Sequence, residues 1–194
     1  MRSFQEFTLS RSSESHAGLP AQPPPPAPHT AVPVQNCGPV PAAGLRRFNA
    51  VPAAEAEAAL LDCYGSRRWA QRLADHRPYP DLDALLAAAD EAGYDLSPAD
   101  RAEALAAEES PGLRPDAPPS AHLALAAAHA AYESRFGHVF VICLDAFLPA
   151  EHPDQVLAGI RARLAHDPEH ERVVTADEMR RLARGRIIEL VSSQ

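Results

Sequence analysis

From about Leu45 onward, apolar residues recur at three- and four-residue intervals, and the polar residues between the runs mark helix ends. Pro52 is suited to open a helix through "AAEAEAALLDCY". Ser66 is placed to cap "RRWAQRLADH", in which Trp69 and Leu73 share a face, and Asp81 to cap "LDALLAAADEAG", with Gly93 as its stop. In "SPAD", Ser97 stands at N-cap, Pro98 at N1 and Asp100 at N3, a capping-box variant that opens "ADRAEALAAEE". Ser120 reads as the start of a helix reaching Phe136, with Leu125, His129, Tyr132 and Phe136 along one stripe and Gly137 as a left-handed stop. "VFVICL", residues 139–144, is the one β-like run; short and solitary, it is expected to be buried extended chain. Two more helices are expected, one around Asp154 to Ala165 and a longer one from about Pro168 to Val191. The pattern predicts an all-α bundle of about seven to eight helices over residues 45–191, with 192–194 as a short end.

Composition sets the limits of this unit. From Leu19 to Gly44 the chain reads "LPAQPPPPAPHTAVPVQNCGPVPAAG"; proline removes backbone donors, so residues 1–44 are expected to form a disordered tail. The 194 residues carry a formal charge of −8 without a basic run, which gives no footprint for nucleic acid. No apolar run is long enough to cross a bilayer, and the polar opening residues point to a cytoplasmic protein. Cys37, Cys63 and Cys143 are scattered, against a disulfide framework or thiolate metal site and in favour of buried free thiols at Cys63 and Cys143. There is no lysine; all 18 basic residues are arginine, which excludes Schiff-base chemistry.

Candidate chemistry is sparse. His166 and His170 are four apart, but Pro168 breaks the helical face they would share, so a solvated helix junction is expected rather than a metal site. His152 is expected in the first turn of a helix, and His129 on an apolar stripe is expected as a core histidine, with a pocket-facing role as the alternative. Ser110, followed by proline, has no evident base nearby. Glu108 and Glu109 read as an exposed helix end, unless burial raises one for acid–base work. Arg180, Arg181 and Arg184 should be solvated or paired. Arg186, flanked by Leu182, Ile187 and Leu190, faces inward and needs an anion, either a protein carboxylate or a ligand's.

Several segments together resemble one family. Phe48-Asn49, a leucine-rich helix, Cys63, Ser66, Trp69-Ala70 and Arg77-Pro78-Tyr79 follow in the order found in 2-oxo-4-hydroxy-4-carboxy-5-ureidoimidazoline (OHCU) decarboxylases. "AYESRFGHVFVICL" is similar to that family's Tyr-x-x-x-Phe-Gly-Phe-Pro-Phe run, and "EMRRLARGRIIELV" to its closing helix. The likeness spans about Leu45 to Val191. It implies a compact all-α domain, often dimeric, that needs no metal or organic cofactor and converts OHCU, a small anion, to (S)-allantoin in urate breakdown. The substrate's own imine then serves as electron sink, and the protein holds the carboxylate out of plane and supplies one aimed proton.

The resemblance also implies a site, and this chain departs from it. The family's His-Pro-Asp-Leu falls on Ser110-Pro111-Gly112-Leu113, and serine cannot carry a proton as imidazole does near neutral pH. The family's following Ser-x-x-Glu-Gln segment has no counterpart, and its Phe-Pro-Phe becomes His138-Val139-Phe140. Arg186 matches the substrate-gripping arginine; Pro111 and the backbone of Val141, Ile142, Cys143 and Leu144 match lining positions. Glu108 or Glu109 for the carboxylate, and His129 (asparagine in the family) or His138 for the proton, are the candidate substitutes. The leading expectation is a decarboxylase of this family. The alternative is a relative that kept the fold as a small-carboxylate-binding or protein-interaction module, and a third reading is a related lyase or isomerase.

Overall fold

A computed structural model describes residues 42–192; most of the expected tail, and Cys37 with it, lies outside the described residues. Eight helices are found among the described residues: α1 (Ala42–Ala50), α2 (Ala53–Tyr64), α3 (Arg67–Asp75), α4 (Leu82–Tyr94), α5 (Pro98–Ala106), α6 (Pro119–Phe136), α7 (His152–Arg163) and α8 (Pro168–Ser192). No strand occurs among the described residues, as an all-α reading requires.

Local signals set most of the boundaries. Ser66 accepts from the Trp69 amide and Asp81 from the Ala84 amide, each satisfying a first-turn donor that has no partner within its helix. Ser97 and Asp100 form the full capping box at the start of α5. Gly137 ends α6 with φ of 78°, a left-handed conformation that costs most residues steric strain.

Three boundary expectations are corrected. Gly93 does not stop α4; it sits inside the helix, where a Cβ would come within 3.1 Å of Arg180 Cγ, and the helix ends at Tyr94 with Asp95 as cap. Its glycine serves packing between α4 and α8. The start expected for α6 at Ser120 moves one residue earlier, to Pro119, after Pro118 and without a side-chain cap. Order begins before Leu45, because α1 includes Gly44, where any Cβ would run into the Val191 backbone at the end of α8.

The longest helix, α8, packs against α1, α2 and α4, while α7 packs on α6. Two hydrophobic clusters result. The larger gathers Leu60, Trp69, Leu73, Leu85 and Ile187, all at most 1 % exposed; the smaller gathers Leu125, Tyr132, Phe140, Val156 and Ile160. Truncating a leucine of the larger cluster to alanine costs about 2–5 kcal/mol. Trp69 stacks on Tyr64 at 5.1 Å and donates its indole proton to Ala89 O at 2.9 Å, so its burial leaves no polar atom unsatisfied.

The run 139–144 lies outside any helix or strand. Phe140 enters the smaller cluster and Val141 the larger, so this strap joins the two.

Candidate functional site

Arg186 emerges from the penultimate turn of α8 toward the segment that follows α5. Its Nη1 and Nη2 donate to Glu108 Oε1 and Oε2 at 2.6 and 2.8 Å, and Nη1 also donates to Cys63 O at 3.1 Å. Of the two anions left open by the sequence, the structure supplies the protein carboxylate. Glu108 is the more enclosed partner, its side chain 8 % exposed against 35 % for Arg186. The hydrogen bond to Glu108, outweighing the cost of burial, raises the arginine above its ordinary value. The neighbouring Cys63 thiol is pushed up to about 11, chiefly by burial, with Arg186 opposing.

Two residues on, the Ser110 hydroxyl is buried with no hydrogen-bond partner. His129 on α6 reaches the same loop: Nε2 lies 3.0 Å from Pro111 O. A carbonyl accepts only, so Nε2 carries a proton. Nδ1 is also buried without a partner. His129 is therefore half-buried on the α6 stripe, 6.1 Å from the Phe140 ring, with one nitrogen committed and one open.

The remaining candidates are more dispersed. Glu109 is exposed. His138 Nδ1 is 2.9 Å from Val139 O, and its ring meets Tyr132 edge-on at 5.6 Å, beside a separate cavity. Val141 O accepts from Arg163 Nη1 at 2.7 Å, and Cys143 N donates to Glu178 Oε2 at 2.7 Å, so both backbone groups are already engaged. Ile142 and Leu144 are half-buried against the smaller cluster, and the Cys143 thiol is free and half-buried. The structure thus brings Glu108 to Arg186, and Pro111 to His129; it does not bring Glu109 to either group.

Sequence reasoning missed one polar cluster altogether. Arg163, at the end of α7, and Glu171, in the first turn of α8, form a buried ion pair at 2.6 Å with side chains 7 % and 1 % exposed. Arg163 also donates to Thr175 Oγ1 at 2.9 Å, and its guanidinium lies 4.6 Å over the Phe140 ring. Tyr132 donates a very short hydrogen bond to Glu171 Oε1. Burial pushes Glu171 up, but hydrogen bonds from Arg163 and Tyr132 outweigh it and hold the carboxyl below its ordinary value. Tyr132 rises to about 12, first through burial and then through its bond to Glu171. His166 belongs here too, with Nδ1 at 2.8 Å from Glu171 Oε2 and only 25 % of its side chain exposed. The solvated-junction reading holds for exposed His170 and fails for His166, which Glu171 draws inward.

No group of three or more histidine, cysteine, aspartate or glutamate side chains among the described residues is arranged to hold a metal ion. Arg181 pairs with Glu178 at 3.0 Å, Arg184 with Asp90 at 3.5 Å and Arg180 with Asp177, so these three arginines of α8 are each neutralised by a carboxylate of the protein.

The family model for OHCU decarboxylase matches residues 49–114 and 106–188, together most of the chain. The chain belongs to the OHCU decarboxylase family. Its two matched segments overlap at 106–114, the stretch that holds Glu108, Ser110 and Pro111. Among solved structures, a crystal structure of (S)-allantoin synthase superposes with a TM-score of 0.62 at 21 % identity over 75 % of this chain and 53 % of that one. The chain thus spans about half the length of that protein. A crystal structure of OHCU decarboxylase in the presence of (S)-allantoin gives 0.60 at 21 % identity, over 69 % of this chain and 96 % of that one. These likenesses establish a shared fold. No curated protein matches the chain.

Proposed function

We propose that the chain decarboxylates OHCU to (S)-allantoin in urate breakdown, without a cofactor, as a cytoplasmic homodimer. The observation that carries this reading is Arg186, a fixed guanidinium fork beside the 110–113 loop, already shaped around a carboxylate by Glu108. A substrate carboxylate takes the fork once Glu108 swings away, and bidentate binding holds it out of the ring plane. Loss of carbon dioxide leaves its electron pair on the ring carbon, delocalised into the imine. His129, protonated at Nδ1, delivers the proton to that carbon from one face, while Pro111 O keeps the ring oriented through Nε2. Ser110 serves as hydrogen-bond donor in place of the family's histidine.

The test generates OHCU in solution by enzymatic oxidation and hydration of urate and follows circular dichroism. Faster appearance of one allantoin enantiomer supports the reading; racemic product at the spontaneous rate sinks it. The Glu108–Arg186 pair also favours a second reading, because it closes the fork within the chain. In that case the protein is a non-catalytic relative that keeps the fold as a protein-interaction module, and the same assay gives racemic allantoin.

A further inference from the structure

A cavity of about 970 Å³ opens between α5, the C-terminal end of α6 and the first half of α8. Glu108, Ser110, Pro111, His129 and Arg186 are not among its lining residues, so it is separate from the site above. Its apolar surface comes from Leu105, Val139 and Met179. Its polar lining is strongly positive. Arg101, Arg135 and Arg172 face it from three different helices, against one acidic side chain, Glu133.

None of these three arginines has a carboxylate partner among the described residues. Arg101 and Arg135 each give one nitrogen to a backbone carbonyl, Leu96 O and His166 O, which fixes the guanidinium without neutralising it. Arg172 is exposed and makes no hydrogen bond or ion pair among the described residues. Tyr64, 1 % exposed, closes the inner end of the lining.

We infer that this cavity is a second binding site, built for a small organic anion with a flat apolar body, an aryl carboxylate. The ring lies on the Leu105, Val139 and Met179 surface, and the carboxylate meets the arginine rim. This inference does not depend on catalysis at Arg186.

The test titrates the full chain with 2-naphthoate and, separately, with its neutral isostere 2-naphthylmethanol, read by amide chemical shifts. The expected result is saturable shifts centred on Gly137, His138, Arg172 and Ala176, with the neutral compound weaker by about tenfold or more, since a charge-assisted fork is lost. Arg172→Ala should weaken 2-naphthoate several-fold. Ala106→Trp, at an exposed lining position that tolerates bulk, should block it; Arg186→Ala should leave it unchanged. Equal binding of the neutral compound, shifts centred on Glu108 and Arg186, undiminished binding to Ala106→Trp, or no saturable shift would each overturn the assignment.

Discussion

Glu108 grips Arg186 with both carboxylate oxygens across 78 residues of chain. The fork is thus occupied by the protein itself, and any external carboxylate competes with a tethered one. Glu108→Gln keeps the shape and removes the charge. It should raise the affinity of a small carboxylate for Arg186 by about tenfold, on the scale of one charge-assisted bond. Amide shifts at Cys63 and Arg186 would report it, and unchanged affinity would show that Glu108 does not compete.

His129 offers a sharper assay of catalysis. His129→Asn keeps a polar side chain but cannot shuttle a proton. Enantiospecific allantoin formation should fall by about a hundredfold or more. His138→Ala should leave that rate within about twofold, because His138 faces the other cavity. An unaffected His129→Asn enzyme would remove this histidine from the mechanism.

The Arg163–Glu171 pair makes a prediction about stability. Removing one partner leaves a buried charge, which typically costs about 3–5 kcal/mol. Arg163→Met should therefore lower urea-unfolding stability by several kilocalories and Tyr132→Phe by only about 1 kcal/mol. Equal, small losses would mean the cluster is well hydrated.

Acid and alkali should act through different groups. Glu171 titrates below its ordinary 4.5 in the fold, so the folded chain gives up that proton more readily than the unfolded one. Its contribution to stability is complete above about 4.5 and drains away as pH falls through the lower folded value. Tyr132 and Tyr79, pushed to about 12, and Cys63, pushed to about 11, hold protons that the unfolded chain loses near 10 and 9. Stability should therefore also decline as pH climbs past 9. Unfolding free energy measured against pH should show both limbs, and Glu171→Gln should flatten the acid one.

Thiol chemistry follows from the same burial. With its pKa near 11 and 4 % of its surface exposed, Cys63 should resist iodoacetamide at pH 8 until urea unfolds the chain. Peptide mass spectrometry would detect early labelling at Cys63, which would contradict the burial.

How much of this was readable in the sequence depended on the range of the interaction. Caps such as Ser66 and Ser97 act within three or four residues, so spacing alone revealed them. Gly93 misled because its absent side chain makes room for Arg180, a partner on a distant helix. Arg186 could be turned inward by periodicity, but nothing local told Glu108 from Glu109 as its partner; the path of the loop decides that. Arg163 and Glu171 did carry a faint signal. They flank the short α7–α8 turn, a cation in a last turn and an anion in a first turn, where both helix dipoles favour them. Their burial depends on Tyr132 and Phe140 arriving from elsewhere.

The uninterrupted course of α8 through 25 residues gives its two ends a common phase. A single residue inserted at exposed Arg181 would rotate everything beyond it by about 100°. Arg172 and Thr175 would keep their places, while the guanidinium fork would swing off its acid and Ile187 out of the core. Both halves of the molecule are therefore indexed to one screw axis, and a change in length there separates them where a change of side chain does not.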